Sequence, residues 1–151
     1  MSTRVRTALT AALLLVGSKT ASAQTFTVST ALVGTMNVNA AVAGSQPTSV
    51  TNSTTTYTLV TRRNRGITRL TANLNAALPA GVTLTVSLVS PGGGIVSAGP
   101  VSLTVAQQNV LTGLPNSTTT FAAATITYVL SANVTAGVVA STPRTITFTL
   151  Q

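Results

Sequence analysis

Residues 81–89 read GVTLTVSLV, with Val82, Leu84, Val86 and Leu88 on one face and Thr83, Thr85 and Ser87 on the other. A period of two is what a half-buried strand requires, because successive side chains of extended backbone point to opposite faces. Leu78-Pro79-Ala80-Gly81 precedes the run and Ser90-Pro91-Gly92-Gly93-Gly94 follows it, so turn-forming residues bound it on both sides.

The same texture recurs along the chain. Phe26 and Val28 begin one predicted strand; Met36, Val38, Ala40 and Val42 line the next; Tyr57 and Leu59 mark a third. Residues 67–74 continue extended with imperfect alternation. Val101, Leu103 and Val105, then a short segment at 109–111, then Ile126, Tyr128 and Leu130, and finally Ile146, Phe148 and Leu150 supply the rest. Gly44-Ser45-Gln46-Pro47 and the stretches 113–120 and 137–143 read as connections. Arg62-Arg63-Asn64-Arg65-Gly66 reads as a hairpin connection in which Asn64 or Gly66 takes a positive φ.

From residue 24 onward no segment carries a helical period. Seven to nine short strands at regular spacing predict an all-β fold, an antiparallel β-sandwich of immunoglobulin-like type. The abundance of Thr fits, since its branched side chain suits the solvent face of a strand. A small outer-membrane barrel is the rival architecture. It calls for strands of about 9–11 residues and girdles of aromatic side chains. This chain has no Trp, two Tyr and three Phe, and its predicted strands are shorter, so the sandwich is the expectation.

The first 23 residues have a different pattern. Arg4 and Arg6 precede a short apolar run at 8–16, and Ala21-Ser22-Ala23 is a small-residue cleavage sequence. That is the layout of an export signal, with an apolar stretch too short for an ordinary span. The expectation is a signal peptide at 1–23 and a single domain at 24–151, secreted or held at the cell surface, with no transmembrane span in the mature chain. The mature chain would start at Gln24, which can cyclise to pyroglutamate.

Composition then narrows the chemistry. The chain has no Asp, Glu, His or Cys, and its formal charge of +8 comes from Arg and Lys alone. General acid–base catalysis draws on carboxylate, imidazole, thiol, amine or phenol groups near the reacting atom. After loss of the leader only Tyr57, Tyr128 and the termini are left for that task. Ser-His-Asp triads, carboxylate pairs and metal sites built on carboxylate, imidazole or thiolate are excluded. The expectation is a non-catalytic protein with no cofactor and no metal. The glycine run at 92–94 lacks the Lys and Ser/Thr of a phosphate loop and reads as an inter-strand loop.

Arg62, Arg63, Arg65 and Arg69 are four of the five arginines that follow the leader, and all lie within eight residues. They are the candidate anion-binding residues, suited to anionic polysaccharide or lipid head groups. No aromatic residues are interleaved with them for base stacking, so no specific nucleic-acid partner is expected. The alternative is a solvated loop that keeps a nearly uncharged protein soluble. Asn52-Ser53-Thr54, Asn116-Ser117-Thr118 and Asn133-Val134-Thr135 match the N-glycosylation pattern.

Sheet edges supply the remaining clue. Edge strands are ordinarily guarded against pairing in trans by Lys, Glu or Pro. Apart from Arg69 and Arg144 the predicted strands here carry almost none, and the terminal stretches 25–33 and 144–151 are extended. Self-assembly by strand addition is therefore one expected partnership.

With these features the chain resembles exported bacterial β-sandwich proteins of uncharacterised role. The resemblance is carried by ITRLTANLNAALPAGVTLTVSLV at 67–89 and AGVVASTPRTITFTL at 136–150. It is also similar in texture to spore-coat-U-type and fimbrial subunits, without the cysteine pair common in those fimbrial subunits. The resemblance implies a structural role at the cell surface and carries no catalytic residues. Assembly into a filament, coat or extracellular matrix is the first functional expectation. A monomeric binding module using the arginine loop is the second.

Overall fold

Leu84, Val86 and Leu88 are buried and Thr83 is exposed, so the alternation at 81–89 becomes a strand with one face on the core. The computed structural model describes residues 23–29, 35–39, 45–136, 140 and 142–151. All of the predicted leader except Ala23 lies outside these residues, as do Ala40 and Val42 and part of the 137–143 connection.

The described residues form nine strands: β1 (Thr25–Val28), β2 (Val50–Thr61), β3 (Arg69–Leu74), β4 (Val82–Leu88), β5 (Val96–Ser97), β6 (Val101–Ser102), β7 (Gln108–Thr112), β8 (Thr119–Ala132) and β9 (Ile146–Leu150). They make two antiparallel sheets, one ordered β1-β2-β8-β4-β6 and the other β5-β7-β3-β9. The fold is all-β and sandwich-like. One core holds Tyr57 and Leu59 of β2, Leu70, Ala72 and Leu74 of β3, the apolar face of β4, Val110 and Leu111 of β7, and Ile126 and Tyr128 of β8.

Every connection after β2 carries the chain from one sheet to the other. This corrects the hairpin reading of residues 62–66. β2 pairs with β1 and β8, whereas β3 pairs with β7 and β9, so the arginine segment is a crossing between sheets. Each strand has one apolar face to bury. Crossing brings those faces together from opposite sheets, which a hairpin within one sheet would not do. Asn64 (φ 60°) and Gly66 (φ 65°) both take the left-handed conformation expected of one or the other.

Other strand expectations are corrected as well. Residues 35–39 are not in a strand, although Met36 packs against the core. Val105 is 56 % exposed, because β6 ends at Ser102 and the chain leaves the sheet; Thr104 already accepts a bond from Leu74 N–H (2.8 Å). β5 was not foreseen in the sequence. β2 and β8 are longer than predicted, at 12 and 14 residues. Two irregularities bend this long pair. The shift between Asn52 and Thr55 changes which parity faces inward. The second lies beside Ala123, which adopts φ 58°.

Candidate functional site: an open sheet edge and an arginine crossing

β1 and β9 are the outermost strands on one side of their two sheets, and the rings of Phe26 and Phe148 meet there at 5.0 Å. The outermost strands on the other side, β5 and β6, have two residues each. The longer edges therefore lie together. Their hydrogen-bond parity is fixed by the pairs at their ends. Arg69 and Gln151 exchange both backbone bonds (2.8 and 2.9 Å), and Asn75 N–H donates to Thr145 O (3.1 Å). Antiparallel alternation then directs the backbone groups of Thr147 and Thr149 to β3 and those of Ile146, Phe148 and Leu150 outward. In the same way Ser29 N–H donates to Thr56 O (2.8 Å), which leaves Phe26 and Val28 with outward backbone groups. Among the described residues no strand lies beyond β1 or β9, and neither strand contains a charged residue. Arg144, the cation nearest β9 in sequence, is turned to Ala77 O by Nε and Nη2 (3.3 and 3.0 Å).

The four arginines singled out from the sequence all lie on or beside the β2–β3 crossing. Arg62 is half-buried; Arg63, Arg65 and Arg69 are exposed. The crossing is held by neutral groups. Gln24 Nε2 donates to Arg62 O (3.3 Å), Leu114 N–H donates to Thr68 O (3.0 Å), and Asn64 N–H donates to Asn116 Oδ1. Thr61 Oγ1 donates to Ser117 O (2.8 Å), and Arg69 Nε donates to Gln151 Oε1 (3.2 Å). With no Asp or Glu in the chain, none of these cations has a side-chain carboxylate to pair with. Two polar atoms at this place are covered without a partner: Arg62 Nε, a donor, and Gln24 Oε1, an acceptor.

Gln24 and Asn116 were not anticipated as parts of this site. Gln24 was visible only as a residue able to cyclise, a reaction that would expel the Nε2 atom now bonded to Arg62. Asn116 carries only a glycosylation pattern within the 113–120 connection. Asn52 and Asn133, the other two Asn of that pattern, accept bonds from both the N–H and the hydroxyl of the Thr two residues on. The spacing that defines the pattern is also the spacing of a side-chain turn.

The two phenols are placed in the core. Burial pushes both Tyr57 and Tyr128 up to about 12, and Tyr57 donates its hydroxyl hydrogen to Val89 O (2.6 Å). Both are protonated at neutral pH. A groove of about 410 Å³ lies beside β6 between Leu78, Val82 and Val105, and no titratable side chain lines it. Among the described residues no helix is long and apolar enough to cross a membrane.

The fold and its two surface features thus define an all-β, two-sheet protein with one longer pair of open edges and one basic crossing. No family model, curated protein or solved structure matches the chain.

Proposed function

We propose that this is a non-catalytic, exported structural protein that joins other copies of itself through the β1/β9 side, as a subunit of a surface filament, coat or matrix. The observation that carries this reading is the juxtaposition of two uncharged edge strands on one side of the sandwich, each with outward backbone groups that no other strand among the described residues takes up. Unpaired edge N–H and C=O groups template strand addition, and charged residues are the usual guard against it. Here side chains behind each edge, Phe26, Val28, Ile146, Phe148 and Leu150, are half-buried and pack against the core, so a second copy would extend an apolar face as well as a ladder. The short β5 and β6 edges offer far less.

The test is the size of residues 24–151 by light scattering and negative-stain microscopy, alongside Thr27→Lys/Thr147→Lys. Both Thr are exposed on the edge strands, so the lysines add guards without entering the core. Ordered oligomers of the parent protein that the double variant abolishes, with melting temperature retained, are the expected result. A parent protein that stays monomeric over a wide concentration range sinks the proposal.

A further inference from the structure

The arginine crossing carries a second proposal, independent of strand-edge assembly. We infer that it is a binding site for acidic polysaccharide, in which Arg62, Arg63 and Arg65 hold anionic oxygens and Gln24 accepts a hydrogen bond from a sugar hydroxyl.

The argument begins with charge. No side chain of this chain offers a carboxylate to these guanidinium groups, so a carboxylate or sulfate side group of a ligand is an anion they can take. Three nitrogens of Arg144, the other arginine after the leader, donate to the carbonyls of Ala77 and Pro143, whereas Nε of Arg62 has no partner. At the crossing the main chain is pinned by Gln24, Asn116 and Leu114, while Arg63 and Arg65 are displayed on the surface. A pinned backbone carrying exposed cations is a preorganised anion site.

The unpartnered atoms choose the kind of anion. Arg62 Nε needs an acceptor and Gln24 Oε1 needs a donor, and the Gln24 amide already touches the Arg62 carbonyl. Each is covered in the free protein, so a side-chain rotation accompanies binding. Leaving such atoms unpaired is unfavourable, and a ligand that offers both roles recovers that loss. Acidic polysaccharide offers both, through its carboxylate or sulfate oxygens and its hydroxyls. Polyphosphate offers acceptors alone. A lipid surface favours insertion of apolar side chains, and the large exposed apolar residues among the described ones, Val89, Val96, Val105 and Val134, all lie outside the crossing.

The experiment immobilises residues 24–151 and measures binding of dextran sulfate, polygalacturonate, neutral dextran, polyphosphate and phosphatidylglycerol vesicles. Both acidic polysaccharides are expected to bind with affinity that falls as salt rises, and neutral dextran is expected not to bind. Arg63→Gln should weaken binding about tenfold, whereas Arg144→Gln, which removes the same charge elsewhere, should leave it unchanged. Gln24→Ala should weaken dextran sulfate binding more than polyphosphate binding, because it removes the contact to a sugar hydroxyl as well as the bond to Arg62 O. Absence of binding by both acidic polysaccharides overturns the proposal, as does an equal loss in Arg63→Gln and Arg144→Gln. Polyphosphate binding as tight as dextran sulfate overturns the saccharide assignment, and tighter binding to the vesicles assigns the crossing to a membrane surface instead. Arg63 is exposed, so its variant keeps the fold, and melting curves verify this.

Discussion

Gly81→Ala adds one methyl group at the entrance to β4 and tests how this strand is seated. Gly81 has φ +78°, and its carbonyl accepts from Asn133 N–H (2.9 Å). A Cβ built there would lie 2.4 Å from Asn133 Oδ1, 2.9 Å from Ala136 N and 3.0 Å from Ala136 Cα. The left-handed conformation costs an alanine about 1–2 kcal/mol. The overlap adds about 1–3 kcal/mol, because two of the three neighbours are backbone and the third is tied to Thr135. The sum is about 2–5 kcal/mol, or a fall in Tm of about 7–19 °C for a domain of this size. Gly99→Ala separates the two terms. Gly99 has φ +73° and nothing within 4 Å of an added Cβ, so only the conformational cost of about 1–2 kcal/mol applies. Thermal melts of both variants at one pH and concentration give the comparison. Equal losses would refute the claim that the 133–136 segment packs on the β4 entrance.

Two further perturbations have signs that the structure fixes. Thr55 is fully buried and its hydroxyl has no partner, while the equally buried Thr61 donates to Ser117 O; Thr55→Val should stabilise by about 1 kcal/mol and Thr61→Val destabilise by about 1 kcal/mol. Urea titrations check both, and a loss of stability in Thr55→Val contradicts the reading. With no Asp, Glu or His to titrate, stability should be nearly flat from about pH 4 to 9. It should then fall with rising pH. Tyr57 and Tyr128 are raised to about 12 against 10.0, so the folded state holds their protons longer, and that advantage is present below pH 10 and lost as pH climbs through 12. Circular dichroism against pH measures this; an acid transition near pH 4 would be the wrong result.

The strands legible in the sequence were those whose alternation survives into the fold. β4, the Ile126–Tyr128 part of β8, and β9 have their apolar residues at the predicted parity. Alternation names a strand's faces but not its neighbours. A crossing and a hairpin use the same left-handed residues, so Asn64 and Gly66 could not tell which sheet β3 would join. The start of β2 was opaque for another reason. Its bulge near residues 53–54 reverses the inward parity, and no period of two runs through such a point. β5 has two residues, too few for any pattern. At the site the arginine cluster was evident because all four lie within eight residues. Gln24 and Asn116 reach the crossing from 38 and 52 positions away, and nothing local marks either.

Salt separates the two proposed interactions by the sign of its effect. Every copy of residues 24–151 is cationic, with all its side-chain charge on arginine, so any two copies repel at long range. The proposed β1/β9 contact would consist of backbone bonds and apolar side chains, with no ion pair for salt to weaken. Raising ionic strength from about 0.01 to 0.15 M shortens the screening length from about 30 to 8 Å. Repulsion between copies is then damped while the edge contact is untouched, so strand-edge assembly grows tighter with salt. Acidic polysaccharide at the arginine crossing is held by attraction between opposite charges, and the same change weakens it. A protein that bound polysaccharide and assembled would therefore pass from one behaviour to the other as salt rises. Arginine variants would alter the first and edge lysines the second.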